Sequence, residues 1–164
     1  MTYNVNKFFL LQVTNEPTVQ LISTSYTEIT GSKCQVNTVA SKNIFYKFNF
    51  YLSTIYLFGS NGAYDKPLLH VKLQKSNDNF QSNIEDVVGC HFNASGDTTE
   101  NRDYFFSTFT PSFILEDIND DEYLRLVARS YSTSNRANLH RAYNFDGSNS
   151  SETYYNTTLC VMEL

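Results

Sequence analysis

The sequence has no tryptophan, only three prolines and six glycines, and few charged residues for its 164 positions. Alanine is scarce, and glutamate and lysine are modest in number, so the residues that favour helices are largely missing. Aromatic and small polar residues are abundant instead: the chain has 12 Tyr, 13 Phe and many Asn, Ser and Thr, which favour strands and turns. This composition predicts an all-β domain.

Other absences limit the partners and the compartment. The 12 basic residues are scattered among 17 acidic ones, and the net charge of −5 argues against a nucleic-acid surface. The apolar run at 8–11 is too short to enter a membrane, and the start of the chain lacks the features of a secretory signal. Cys34, Cys90 and Cys160 lie far apart, and an odd count favours buried free thiols. One disulfide with a spare thiol is the alternative.

The apolar residues alternate with a period of two over most of the chain. In 44–52, 67–75 and 122–131, one face is apolar and the other is mixed, which is typical of half-buried antiparallel strands. Further predicted strands are 7–13, 18–24, 84–92, 103–109, 137–144 and 157–163. About eight to ten strands at this spacing predict a two-sheet antiparallel β-sandwich with jelly-roll topology.

Two of these segments, 103–109 and 157–164, carry bulky apolar residues at consecutive positions. A sandwich with solvent on both outer faces cannot cover both sides of such strands, and a surplus of aromatic residues is typical of an oligomer interface. The alternative is that loops or the N-terminal arm cover the second side. The predicted interface residues are Phe105, Phe106, Phe109, Tyr123, Leu159 and Val161.

Catalytic and metal sites find little support in the sequence. There is no nucleophile elbow, no phosphate-binding loop and no His-Glu-x-x-His pattern, and the three histidines lack zinc-ligand spacing, so no enzyme activity and no cofactor are expected. Asp117, Asn119 and Asp121 have the first half of a calcium loop's spacing, but the Gly and Glu that an EF-hand needs are missing. An acidic turn is the preferred interpretation.

Recognition through loops is the remaining possibility for a site. The segments 59–66, 76–83, 93–102 and 144–156 are rich in Asn, Ser, Gly and Tyr, a composition that gives adaptable hydrogen bonds and rigid aromatic contacts. A host-surface glycan is one candidate ligand; the alternative is that the loops only share the composition of the whole chain. The predicted contact residues are Tyr64, Asn77, Asn79, Asn93, Asn149, Tyr154 and Tyr155.

Three stretches resemble the jelly-roll domain of the tumour-necrosis-factor and complement-globular type. They are "SKNIFYKFNFYLS" (41–53), "SFILEDINDDEYLRLVARSYS" (112–132), and "LHRAYNFDG" (139–147) followed by "TTLCVMEL" (157–164). The last pattern is similar to the sub-type found in surface and fibre-head domains of phages and large DNA viruses. The resemblance implies a homotrimer whose last strand lies inside a sheet, near the three-fold axis.

The resemblance and the doubly apolar strands together lead to one functional expectation: a non-enzymatic virion-surface protein, either a capsid decoration or the head of a short fibre. Residues 1–18 would form an N-terminal arm or first strand that contacts the capsid, and 19–164 would form the jelly roll. The alternatives are a free-standing carbohydrate-binding module or lectin, and an extracellular ligand of the tumour-necrosis type.

Overall fold

The computed structural model describes residues 9–14, 20–37, 42–57, 64–96, 102–131, 136–143, 149–154 and 157–164. For residues 53–57, 64–68, 93–96, 102–106, 136, 141–143 and 149–154, the backbone alone is described. The strands in this part of the chain are, in chain order, β1 (Phe9–Thr14), β2 (Gln20–Ile22), β3 (Thr27–Glu28), β4 (Cys34–Gln35), β5 (Lys42–Leu57), β6 (Tyr64–Ser76), β7 (Glu85–Gly96), β8 (Arg102–Phe109), β9 (Ser112–Ile118), β10 (Tyr123–Ser130), β11 (Arg136–Leu139), β12 (Arg141–Tyr143), β13 (Asn149–Tyr154) and β14 (Thr157–Glu163).

The strands form two antiparallel sheets and a separate β12–β13 ribbon. The first sheet is ordered β1–β14–β5–β11–β2, and β8 and β9 also pair with β5. Because β5 is 16 residues long, its first half pairs with β14 and β9 while its second half pairs with β11 and β8. In the second sheet, β10 pairs with β3, β4 and β6, and β7 pairs with β6 at the edge. The predicted all-β sandwich is therefore confirmed.

Within each sheet, strands from the first half of the chain pair with strands from the second half. The outermost strands along the chain pair with each other, and so do the innermost ones. β1 pairs with β14, β3 and β4 pair with β10, β5 pairs with β8 and β9, and β6 pairs with β7. This winding is that of a jelly roll. The fourteen strands of the described residues exceed the predicted number. The excess comes from short segments such as β3 and β4, and from β9 and β13, which were not predicted as strands.

The core lies between the sheets and is built by alternate residues of the strands. On β5 the inward side chains are Ile44, Tyr46, Phe48, Phe50 and Leu52, each at most 1% exposed. The last strand, β14, is paired on one side with β1 and on the other with β5. The apolar end of the chain is therefore part of the core, because its strand lies inside a sheet and its inward face is covered.

A buried serine joins the two sheets. Ser32 lies in the turn between β3 and β4 and is 0% exposed. Its hydroxyl accepts a hydrogen bond from the Leu126 amide (3.0 Å), and its carbonyl accepts one from the Tyr46 hydroxyl of the first sheet. The neighbouring Gly31 has φ +82°, and a Cβ there would stand 2.9 Å from the hydroxyl oxygens of Thr14 and Thr157. Only glycine fits this turn without strain.

Candidate functional site: an exposed apolar sheet face

A row of apolar side chains crosses the outer face of the first sheet. Phe9 on β1 is paired with Met162 on β14, Met162 with Phe45 on β5, and Phe45 with Ile114 on β9. Directly opposed residues of neighbouring strands point to the same face, so these four side chains are adjacent. Phe9 and Ile114 are 62% and 66% exposed, far above what a covered sheet face would show.

Two further rows continue this surface along the strands. Leu11 is paired with Cys160, and Val13 with Thr158. Leu11 and Val13 are 57% and 58% exposed, whereas Cys160 and Thr158 are half-buried. Beside them is a shallow depression of about 360 Å³, lined by Lys47, Asn49, Thr110, Thr158 and Cys160. We call the set Phe9, Leu11, Val13, Phe45, Ile114, Cys160 and Met162 the apolar face.

The sequence of β1 explains why this face is exposed. Leu10 points inward and packs against the core, so alternation turns Phe9, Leu11 and Val13 outward. The outward side of a strand on a solvated sheet is normally polar. Contiguous apolar patches of this kind mark interaction surfaces in soluble proteins.

The predicted interface on β14 must be corrected. Leu159 and Val161 are 0% exposed and point into the core, so neither can contact a partner. The prediction identified the correct strand but the wrong side of it. The outward residues of β14 are Thr158, Cys160 and Met162, which belong to the surface described above.

The aromatic residues predicted for the interface lie elsewhere. Phe109 is half-buried, and its ring packs edge-to-face on Phe50 and Phe92 with centroid distances of 5.5 and 5.1 Å. Tyr123 is half-buried on β10 of the second sheet, where its ring lies near the ammonium group of Lys33. The side chains of Phe105 and Phe106 lie outside the described residues.

Several of the predicted binding loops are strands. Tyr64 begins β6 and Asn93 lies within β7, because this hairpin extends further than the alternation of the sequence indicated. Asn149 and Tyr154 are the ends of β13. The side chains of these four residues, and Tyr155 as a whole, lie outside the described residues. Their proposed contacts with a ligand therefore stay predictions.

The predicted contact residues Asn77 and Asn79 lie in a turn organised by Asp78. The carboxylate of Asp78 accepts hydrogen bonds from the amides of Ser82 (2.9 Å) and Asn83 (3.0 Å) and from the Ser82 hydroxyl (2.6 Å). The hydroxyl of Ser82 contributes most to lowering the pKa of Asp78, followed by that of Ser76. Both asparagines are exposed at the tip of this ordered turn.

The weak calcium candidate also forms a turn. Asp117 and Asp121 have φ of 55° and 63°, values that Asp tolerates in tight turns. The Asp121 carboxylate accepts a hydrogen bond from Gln35 (2.9 Å), and the Glu122 carboxylate accepts one from the Asn119 amide (2.9 Å). Within the part of the chain that the structure describes, no group of three His, Cys, Asp or Glu side chains could hold a metal ion. The two hydrogen bonds are those of a turn, and the calcium candidate stays a prediction.

The three cysteines are free thiols. Burial raises the pKa of the Cys34 thiol to about 12, which keeps it protonated and unreactive. Cys90 and Cys160 are half-buried. Free thiols were predicted for all three, but only Cys34 is fully buried.

The position of His140 in the sequence, just before the Asp-Gly turn, predicts a hydrogen bond that fixes the loop 144–156. In the structure His140 is buried. Its amide donates to the Tyr51 carbonyl (2.9 Å), and its Nε2 lies 3.2 Å from the Gln20 side-chain oxygen. Its Nδ1 is buried without a hydrogen-bond partner among the described residues. Burial lowers the pKa of His140 to about 4. The loop itself lies partly outside the described residues, so its fixation stays a prediction.

Comparisons with known proteins add little. No family model matches the chain, and no curated protein matches it. Among solved structures it is similar to dimeric latent PorU from Porphyromonas gingivalis, with a TM-score of 0.39 and 11% identity over 97% of this chain. The chain spans 13% of the length of that PorU chain. A likeness this weak supports no conclusion about function. No helix in the described ranges is long and apolar enough to cross a membrane.

Proposed function

We propose that this protein is a non-enzymatic structural protein that assembles with copies of itself through the apolar face of the first sheet. The observation that carries the proposal is the exposure of four large apolar side chains on one side of one sheet. Phe9, Leu11, Val13 and Ile114 are 57–66% exposed there, beside the half-buried Phe45 and Met162.

Burial of this face in a contact would release a hydrophobic free energy of the size that an interface needs. Burying a large apolar side chain completely contributes about 1.5–3 kcal/mol. The four side chains are about three-fifths exposed, so burying the rest of their surface would contribute about 4–7 kcal/mol per copy. Association costs on the order of 4–15 kcal/mol in lost freedom of motion, so one pairwise contact is marginal. A closed ring, in which every copy is contacted on two sides, offsets this cost better than a dimer.

The scarcity of charge on the apolar face allows a second copy to be the partner. The chain carries a net charge of −5, so two copies repel unless their contact is poor in charge. Within the three rows of the apolar face, Lys47 is the one charged side chain among the described residues. Charge depletion at the centre is typical of interfaces between protein subunits.

The trimeric state and the virion are the finer parts of this proposal. They rest on the resemblance of the final strand and its neighbours to virus surface domains, in which that strand lies near a three-fold axis. The jelly-roll winding is compatible with this arrangement. A capsid decoration or a short-fibre head is the proposed role, and the segment 1–18, of which 9–14 form β1, is proposed to contact other virion proteins.

Sedimentation velocity at micromolar concentration tests the assembly. We expect the mass of a trimer for the native chain and that of a monomer for Leu11→Asp, because a carboxylate at the centre of the apolar face would lose its hydration in the contact. Leu21→Asp is the matched control: Leu21 is 60% exposed on the same sheet but lies on β2, away from the apolar face. A monomeric native chain, or equal dissociation by both variants, would refute the proposal.

A further inference from the structure

The outer face of the second sheet carries a different set of side chains. Arg129 on β10 is paired with His70 on β6, and His70 is paired with His91 on β7. These three side chains therefore form a row across three adjacent strands, about 10 Å from end to end. Tyr26, just before β3, and Tyr131, just after β10, flank the row, and the two residues are 38% and 37% exposed.

Hydrogen bonds fix the histidines of this row. The hydroxyl of Tyr26 lies 2.5 Å from Nδ1 of His70, and that of Tyr131 lies 2.6 Å from Nδ1 of His91. The two imidazole rings stack with their centroids 4.4 Å apart and their planes 13° from parallel. When each tyrosine donates its proton to Nδ1, the neutral imidazole carries its own proton on Nε2, which makes both Nε2 groups donors.

Gly89 makes room for this arrangement. A Cβ at position 89 would stand 2.9 Å from Nε2 of His70. Any other residue would displace the imidazole from its stack on His91. The cluster of Tyr26, His70, His91, Arg129 and Tyr131, which we call the histidine cluster, therefore depends on a residue that makes no side-chain contact of its own.

Among the described residues, Arg129 is distinguished from its neighbours by having no carboxylate partner. Lys72 pairs with Asp86 at 2.6 Å, and Arg125 pairs with Glu28 at 3.0 Å. Arg129 has no ion pair within the described ranges. Instead its guanidinium lies 5.3 Å from the ring centroid of Tyr26 and 5.2 Å from that of Tyr131. On an acidic protein, an unpaired cation held between two aromatic rings is a candidate for an anionic ligand.

The remaining groups near the cluster agree with this interpretation. The ammonium group of Lys72 lies 4.4 Å above the Tyr26 ring. The pKa of His70 is lowered, chiefly by partial burial and then by the nearby His91, Lys72 and Arg129. Asp86 is the carboxylate that faces His70, and it already accepts hydrogen bonds from Lys72 and Gln74. The cluster therefore presents several donors and cations, and the nearby carboxylate of Asp86 is already paired with Lys72.

We propose that the histidine cluster binds an acidic saccharide, whose carboxylate or sulfate group contacts Arg129 and the imidazole Nε2 groups. The two exposed tyrosine rings would contact the sugar. A flat, open sheet face with few cations suits a small charged sugar better than a nucleic acid, which needs several Lys and Arg side chains for its phosphates. This inference does not depend on the proposed assembly, because the two sites lie on different sheets.

Nuclear magnetic resonance on the full chain tests the proposal directly. The probes are a panel of carboxylated and sulfated oligosaccharides, each paired with its neutral parent sugar, and an acidic peptide. The chain has three histidines, and we expect the imidazole signals of His70 and His91 to shift on titration with the acidic sugars. The signals of His140, which is buried near Gln20 of the first sheet, serve as the internal reference.

Two variants assign the binding to the cluster. Arg129→Gln is expected to weaken binding about tenfold or more, since it removes a charge-assisted hydrogen bond. Arg125→Gln is the control, because Arg125 lies on the same strand and face but is paired with Glu28.

Carboxylate and sulfate are distinguished by which half of the panel binds. The proposal is overturned if no acidic sugar shifts these signals, if neutral parents bind equally, if only the peptide binds, or if Arg129→Gln has no effect.

Discussion

We expect the buried His140 to lower the stability of the protein as the pH falls below neutral. His140 is 0% exposed, and its Nε2 donates towards the Gln20 side-chain oxygen. That oxygen already accepts a hydrogen bond from the Thr30 amide (2.9 Å). Protonation would add a proton to Nδ1, which is buried without a partner among the described residues. The folded protein therefore resists protonation of this ring, whereas the unfolded chain exposes the ring to water.

The size of the effect follows from the two pKa values. Burial lowers the pKa of His140 from 6.5 to about 4 in the folded protein. Between these values the unfolded state binds one proton more than the folded state, so stability falls as the pH falls. The difference of about 2.5 pH units corresponds to about 3 kcal/mol, all of it present above pH 6.5 and lost by about pH 4. For a domain of this size that is a large part of the total stability.

Urea unfolding from pH 7.5 to pH 4, followed by circular dichroism, measures this loss. The test compares the native chain with His140→Gln, which keeps a donor at this position but cannot take up a proton. Asp86 and His70 also have lowered pKa values and contribute to the pH dependence of both proteins, so the difference between the two curves isolates His140. Parallel curves over this range would refute the reasoning.

Two further predictions concern the core. Tyr46→Phe removes the donor to the buried Ser32 carbonyl and is expected to lower the free energy of unfolding by about 1–3 kcal/mol, measured in urea; an unchanged midpoint would contradict it. Leu159→Ala is expected to cost about 2–5 kcal/mol because it leaves a cavity, while Cys160→Ala on the opposite side of the same strand costs under about 1 kcal/mol. If the two substitutions lowered the free energy of unfolding equally in thermal unfolding, the assignment of Leu159 to the core and Cys160 to the outer face would be wrong.

The fold was predictable because strand periodicity is a local property. The alternation of 44–52 assigned Ile44, Tyr46, Phe48, Phe50 and Leu52 to one face, and all five are in the core. The apolar C-terminus likewise indicated a strand, and the resemblance implied that this strand lies inside a sheet, as β14 does. The number of strands was less predictable, because only Thr110 and Pro111 separate β8 from β9, and the two strands are distinguished by their pairing with β5.

The sites were much less predictable, because they depend on which strands are neighbours. The consecutive apolar residues at 8–11 indicated a strand that is apolar on both of its faces. The exposed face was nevertheless assigned to 103–109 and 157–164, since the sequence does not say that β1 lies at a sheet edge. His70 and His91 belong to one hairpin, but a register shift between Leu73 and Gln74 decides that they are opposed. Tyr26 and Tyr131 lie next to the ends of two other strands, β3 and β10.

The two outer faces of the sandwich differ in chemistry, and this difference makes the two proposals independent. The face that contains Leu11 is apolar and nearly free of charge, while the face that contains Arg129 carries cations, imidazoles and exposed rings. A trimer that buries the first face leaves the second on the outside, where a saccharide can reach it. Leu11→Asp should therefore change the mass of the particle but not the affinity per chain, and Arg129→Gln should do the reverse. If one substitution changed both properties, the saccharide would have to bind between subunits instead of on the histidine cluster of a single chain.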